Sequence, residues 1–375
     1  MVAMLPSGPD LWRCFAALVI LMFLGAAAVD AGEQPSLKIV SVDVEGGAAL
    51  LFATPEGKSL LIDTGWPPGA GGPRAIPGAP PRAAGASSAE KIAMAATSLG
   101  IKKIDYLLLT HYHVDHLGGL EALLAKLPVV TFIDHGPNRQ PANPGAAPSP
   151  FSTASLYAKY ETLAQGHRHI TAQAGQTLDI GSLHLTFVTS DGALPDAPLP
   201  GAGQANPLCE GVPDMARDGG EDSRSVGTLI TFGKTRILEL GDLPWNNEKA
   251  LLCPVNKVGP VDVYIVTQHG SNFSSSPPTA ALDPIVAVMG NGATKGGDVD
   301  PINTVSHYPH LEGLWREHVA VLHPETNGDP SYIANLDWVP DQNYTINLSI
   351  TFDGLITVAN SRNRFTKTYR AREAR

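Results

Sequence analysis

Within the ten residues THYHVDHLGG, Thr110 to Gly119, three imidazoles and a carboxylate fall in six positions: His111, His113, Asp115 and His116. Histidine and aspartate are donors suited to Zn2+ or a similar divalent ion, and side-chain packing rarely asks for such a density of ligands. A merely polar loop is the plain alternative; the density favours a metal cradle. If His111 and His113 continue an extended chain, their side chains point the same way, while Asp115 and His116 lie where the chain turns. One loop can then serve two neighbouring metal positions.

The flanking pattern shows what must hold this loop. Ile104 to Thr110 is a short apolar run of strand type and Leu120 to Leu127 has helical spacing, so the cluster sits between a strand and a helix. Upstream, Leu37 to Val44, Ala48 to Ala53 and Ser59 to Ile62 read as three strands joined by Gly-Gly and Pro-Glu-Gly turns. This meander ends on Asp63-Thr64-Gly65, where Asp63 is either an Asx-turn residue or a functional acid. Downstream, Val226 to Phe232 and Thr235 to Leu240 form a strand pair that ends on Gly241-Asp242. A helical stretch, Trp245 to Leu252, follows, and a helix cap is the plain reading of Asp242. Val261 to Thr267 is a further strand, with Gln268-His269-Gly270-Ser271 behind it. Asp63, the 111–116 cluster, Asp242 and His269 thus each stand at the C-terminal end of a strand.

The run His-x-His-x-Asp-His after a strand resembles the signature of the metallo-β-lactamase superfamily. Gly241-Asp242 resembles its bridging-aspartate motif, and His269 before Gly-Ser resembles its last ligand. The resemblance implies an α/β fold: an αββα sandwich of two mixed β-sheets flanked by helices, with the metal site at one edge of the sheets. It implies His111 and His113 on a first metal, Asp115, His116 and His269 on a second, and Asp242 bridging the two. Two catalytic acids are implied, Asp63 orienting the metal-binding loop and Asp115 guiding a departing proton. The expected cofactor is Zn2+, one or two ions, with Mn2+ or another divalent metal as the alternative. The expected chemistry is hydrolysis by a metal-activated water.

In many superfamily members a third histidine of the first metal position falls in the part of the chain that corresponds to Ser190 to Arg224. That segment contains none here, and Asp222, Asn206 or a water are the candidates for its place. The stretch VEGGAALLFATPEGKSLLIDTG, with the Gly-Asp and His-Gly-Ser motifs, is similar to the competence-type branch, the metallo-hydrolase domain associated with DNA-uptake channel proteins. In that branch two histidines usually precede the Gly-Ser, whereas the first is Gln268 here, and the branch's bundle of membrane helices is absent. The branch implies phosphodiester-type substrates. Hydrolysis of β-lactams, lactones or thioesters, and non-catalytic metal-dependent binding, are the other classes the residues allow.

Composition sets bounds rather than a substrate. With 375 residues, 43% of them hydrophobic and 17% charged, the chain is globular and long enough for one large domain or two modest ones. A formal charge of -10 argues against a generally basic nucleic-acid binder and leaves a local patch open. The partner expected from the resemblance is a small-molecule or phosphodiester substrate, with no stable nucleic-acid partner. Arg13, the apolar run Cys14 to Ala28 and the small residues around Ala31 read as a signal peptide over 1–31, with an uncleaved anchor as the alternative. A periplasmic or extracellular protein follows, with no membrane span after signal removal. Cys209 and Cys253 then remain as a disulfide or as two free thiols.

The domain is expected over residues 37–358, followed by a basic tail over 359–375 that carries Arg364, Lys367, Arg370 and Arg372. Two Pro/Gly-rich loops, 66–87 and 137–150, interrupt it. Helices are expected from Ser88, as its own N-cap, to Leu99 and from Ser152 to Ala164, and a hairpin from Leu178 to Val188. A late strand is read over Val319 to Leu322. His135 can reach the pocket from a strand end; His184, His307, His310 and His323 are expected on the surface and His167 and His169 in a polar turn.

Overall fold

Alternation along the strands decides what each sheet faces. In Ser59–Ile62, Leu60 and Ile62 enter one buried cluster and Leu61 another, as the two-residue period requires, and both faces are apolar because both are covered. The computed structural model describes residues 34–69, 85–141, 149–336 and 343–373, together with 143, 145 and 147. The expected signal and residues 70–84 of the first Pro/Gly-rich loop lie outside the described residues. Residues 35–375 form one compact unit.

The first part of the chain runs β1 (Ser36–Ser41), β2 (Leu50–Ala53), β3 (Ser59–Ile62), α1 (Ser88–Ser98), β4 (Ile104–Leu108), α2 (Val114–Leu117) and α3 (Leu120–Leu124). It continues with β5 (Val129–Asp134), α4 (Thr153–Ala164), β6 (Arg168–Thr171), β7 (Thr177–Ile180), β8 (Leu183–Thr189), β9 (Gly227–Phe232) and β10 (Thr235–Glu239). Then come α5 (Trp245–Leu252), β11 (Val263–Ile265), β12 (Val286–Met289), α6 (Val299–Ser306), β13 (Gly313–His318) and β14 (Ile333–Asn335). The last strands are β15 (Ile346–Thr351), β16 (Leu355–Asn360) and β17 (Thr366–Arg370).

One sheet has the order β17-β16-β15-β1-β2-β3-β4-β5-β6 and the other β14-β13-β12-β11-β10-β9-β8-β7. Both are mixed: β3 to β6 and β10 to β14 pair in parallel and the remaining neighbours antiparallel. The sheets share a central core that includes Phe52, Leu60, Phe187, Ile230, Val263 and Trp315. On the outer face of the first, Leu61 and Leu107 pack with Ile92, Leu120 and Leu156 of α1, α3 and α4. On the outer face of the second, Leu238 and Ala287 pack with Leu251 of α5 and Ile302 of α6. This is the expected αββα sandwich. Its parallel pairs bring the C-terminal ends of β3 and β4, and of β10 and β11, to the same edge of their sheets.

Four local readings change. The N-cap of α1 is Ser87, whose Oγ accepts from Glu90 N at 3.3 Å while its own N–H donates to Glu90 Oε2 at 2.9 Å; this capping box outcompetes the neighbouring Ser88. His169 lies in β6, where the polar run Arg-His-Ile-Thr hides an edge strand, and is 2.7 Å from Asp134 Oδ2. The late strand is Gly313–His318 rather than 319–322, because Trp315 fills the central core. The segment expected as a basic tail supplies β17, in register with β16, and buries Tyr369 against Trp315.

Candidate metal centre

The loops that follow β3, β4, β10 and β11 meet at one edge of the sandwich. Val226 N donates to Thr110 O at 2.9 Å, which ties the two sheets together at the site, and Gln268 N donates to Gly241 O at 3.0 Å, which joins two loops of the second sheet. Gly241 is left-handed, and a Cβ there would lie 2.9 Å from the Thr110 Cβ, so only glycine allows this approach.

Asp63 and Thr110 form the floor. Asp63 Oδ1 accepts from Thr110 N at 2.8 Å, and Oδ2 accepts from the Thr110 hydroxyl at 2.7 Å and from His116 Nδ1 at 2.7 Å. Asp63 is fully buried; it positions His116 and does not reach the opening, which places it as a positioning acid rather than a reacting one. The bond fixes the tautomer of His116 and turns Nε2 inward. His269 is arranged the same way by the Gly290 carbonyl, 3.1 Å from its Nδ1. The two Nε2 atoms face Asp242 Oδ1, each at 3.3 Å, and Asp115 Oδ2, at 3.4 and 3.3 Å. All four side chains are buried, and neither Nε2 has a hydrogen-bond partner.

A second set lies alongside, with the His111 and His116 ring centroids 4.1 Å apart. His111 Nδ1 donates to Thr110 Oγ1 at 3.1 Å, and His113 Nε2 to Gln140 Oε1 at 3.2 Å. Their other nitrogens converge on Asp222 Oδ1, His111 Nε2 at 3.3 Å and His113 Nδ1 at 2.7 Å. Asp222 therefore stands where the missing histidine was sought. Asn206 does not: its amide donates to Leu252 O and Pro278 O. Asp222 is presented by Glu221, which accepts from Tyr112 N at 3.1 Å and binds His135 Nε2 at 2.9 Å. His135 is thus a buried support for this acid loop. Gln268 Nε2 donates to Asp222 Oδ2 at 3.1 Å.

The electrostatics follow from crowding such groups away from water. Burial opposes the charge of Asp242, but the facing His269 and His116 outweigh it and hold its carboxyl well below the usual range. Burial likewise opposes an imidazolium at His116, yet Asp242, Asp115 and Asp63 hold it well above the ordinary histidine value. Against the same cost, Asp222 pushes His113 up to about 9. The donor sets fit divalent ions: each of the four histidines has its outer nitrogen held by an acceptor and turns the other, with carboxylate oxygens, toward its neighbours. Asp115, His116, Asp242 and His269 would hold one ion and His111, His113 and Asp222 another. Asp242 groups with the second set, so the first relies on Asp222.

Sequence reasoning missed Glu221, Gln140 and Lys295, whose ammonium pairs with Asp115. The adjacent acids Glu221-Asp222 after Gly219-Gly220 were the available signal for the first of these. His184, His307, His310 and His323 lie away from the centre; His184 pairs with Asp179 and His310 with Asp283. Cys209 and Cys253 form a disulfide, with Cα atoms 5.8 Å apart. Beside Asp222 and Gln268 opens a groove of about 960 Å³, lined also by Met215, Arg217, Trp245 and Phe273.

Fold and donor sets together give an αββα sandwich with two candidate metal positions at one edge. Residues 42–203 match the sequence model of the metallo-beta-lactamase superfamily. Among solved structures it is similar to the metallo-beta-lactamase fold protein YhfI from Bacillus subtilis, at 12% identity over 75% of this chain and 95% of that one, with a TM-score of 0.41. It is similar to a diphosphatase from the PhnP family, at 12% identity over 84% and 98% of the two chains and a TM-score of 0.39. MEM-A1, a subclass B3 metallo-beta-lactamase from a soil metagenome library, is 16% identical over 76% of each chain, with a TM-score of 0.32. A comparison with curated proteins finds no match.

Proposed function

We propose that this protein is an exported hydrolase of the metallo-beta-lactamase type that cleaves phosphodiester-type substrates at a centre of two divalent ions, most readily Zn2+. The carrying observation is the side-by-side arrangement of two donor sets, His111, His113 and Asp222 beside Asp115, His116, Asp242 and His269. Mixed imidazole and carboxylate donors suit Zn2+ and admit Mn2+. Bound ions would supply an ionised water near neutral pH and polarise the phosphoryl oxygen. The chain's own part is to fix the imidazoles through Thr110, Gln140, Asp63 and Gly290, and to offer the groove beside Asp222 for the substrate's larger substituent. The similarity of its β-meander to the competence-type branch supports the phosphodiester class. The Cys209–Cys253 disulfide and the apolar run near the N-terminus support export to an oxidising compartment. No helix of the described residues is long and apolar enough to cross a membrane.

The test is metal analysis of the purified protein together with turnover of bis-p-nitrophenyl phosphate, nitrocefin and a lactone. Two ions per chain and phosphodiester turnover are expected. Turnover of nitrocefin or the lactone without the phosphodiester would overturn the substrate class, and tight metal with no turnover would make the protein a binder.

A further inference from the structure

Lys295 stands at the rim of the second donor set with no role yet assigned. Its Nζ pairs with Asp115 Oδ2, the oxygen that also faces His116 and His269, and its side chain is 39% exposed where that of Asp115 is 8% exposed. The ammonium lies 5.2 Å from the centroid of the Trp66 ring, a contact that favours a cation at this place. Two other cations of this face are matched outside the centre, Arg139 by Asp191 and Lys249 by Asp214, and Arg217 lines the groove beside Asp222.

The loop that carries Lys295 is built onto the last histidine. Gly290 O accepts from His269 Nδ1, Gly297 N donates to His269 O at 2.9 Å, and Asp298 N donates to Gly270 O at 2.9 Å. Gly296 lies so close that a Cβ would be 2.1 Å from His269 O. A turn in which Gly292 N donates to Lys295 O at 2.9 Å completes the clamp. The lysine is therefore placed by the same backbone that places a ligand, which an incidental surface lysine does not require.

The charge balance gives this placement a purpose. Two divalent ions would be balanced by the carboxylates of Asp63, Asp115, Asp222 and Asp242, which leaves the Lys295 ammonium as the added positive charge at the opening. An ion on Asp115 Oδ2 would draw off the charge that now holds Nζ. Such a site selects a substrate that brings its own negative charge.

We propose that Lys295 is the anion receptor of the centre, binding a non-reacting oxygen of an anionic phosphoester. This rests on the phosphodiester reading above and deepens it. The test uses full-length Lys295→Met and Lys295→Arg, with circular dichroism as the check of folding. Binding of inorganic phosphate to the metal-loaded protein is measured by calorimetry, metal content by mass spectrometry, and KM for bis-p-nitrophenyl phosphate against KM for the neutral ester p-nitrophenyl acetate. Lys295→Met is expected to weaken phosphate binding about tenfold and to raise KM for the anionic ester at least about tenfold more than for the neutral one, with metal content retained. Lys295→Arg restores phosphate binding. Unchanged phosphate affinity, equal effects on the two esters, or loss of metal in Lys295→Met would overturn the proposal. If the wild-type protein turns over neither ester, the phosphodiester reading fails while the phosphate titration still decides the role of Lys295.

Discussion

Asp63 Oδ2 lies 2.7 Å from His116 Nδ1, and both side chains are fully buried. A charged acceptor in such a place sets the imidazole tautomer and raises the basicity of the inward nitrogen. Asp63→Asn keeps the volume and loses the charge. Metal affinity is expected to fall roughly 10–100-fold, read by competition with a chromophoric chelator; unaltered affinity would remove Asp63 from the centre.

The two donor sets should be separable. His113→Ala and Asp222→Ala are expected to leave one ion per chain, whereas Asp242→Ala acts on the second set, where Oδ1 faces both His116 and His269. Hydrolysis is expected to fall to background in each variant. Mass spectrometry of the purified variants gives the ratio, and full activity in a metal-stripped variant would sink the scheme.

Cys209 and Cys253, separated by 44 positions, clamp a loop to the end of α5. The loop is also held by Lys249 on Val212 O and Asp214 Oδ1, both at 2.7 Å. Closing a segment of that length contributes about 4 kcal/mol by the chain-entropy relation, with typical measured values of about 2–4 kcal/mol. The double replacement by serine should lower unfolding free energy by that amount in guanidinium titrations and raise KM, because Met215 and Arg217 line the groove proposed to take the substrate. An unchanged midpoint contradicts the first part, an unchanged KM the second.

Glu248 is buried in α5 and accepts from Ser275 N at 3.1 Å and Ser276 N at 2.8 Å. Burial, opposed by those backbone bonds, pushes its carboxyl up from 4.5 to about 7. A raised folded-state pKa means that the folded protein holds the proton more tightly, so this contribution to stability is full below about pH 4.5 and is lost as pH rises through 7. The loss is on the order of 3 kcal/mol. Glu248→Gln should flatten the fall in stability between pH 5 and 7 relative to wild type; parallel pH profiles for the two proteins would rule this out.

Much of the candidate centre was legible because its residues sit at strand ends, where apolar alternation stops and a polar residue stands out. That signal found Asp63, His111, His113, Asp115, His116, Asp242 and His269, all of which the fold brings to one edge. It gave less at Asp222, in a long irregular segment without periodicity, where only the adjacent Glu221 after Gly219-Gly220 sets it apart from Asp214 or Asp218. Glu221 and Lys295 acquire their roles only through contacts with Tyr112, His135 and Asp115. Such roles depend on which loops the sheet order makes neighbours. The same limit explains β17: charged residues hide a strand whose register is set by β16, not by its own pattern.

The hydrogen bond from Gln268 to Asp222 couples the choice of side chain at these two positions. An imidazole at 268 would bring its own donor atom to the first set, and an acid at 222 would lose the amide that now steadies it. The two positions should therefore drift together across relatives, exchanging identities in pairs, while Asp63 and His116 stay indifferent to that exchange.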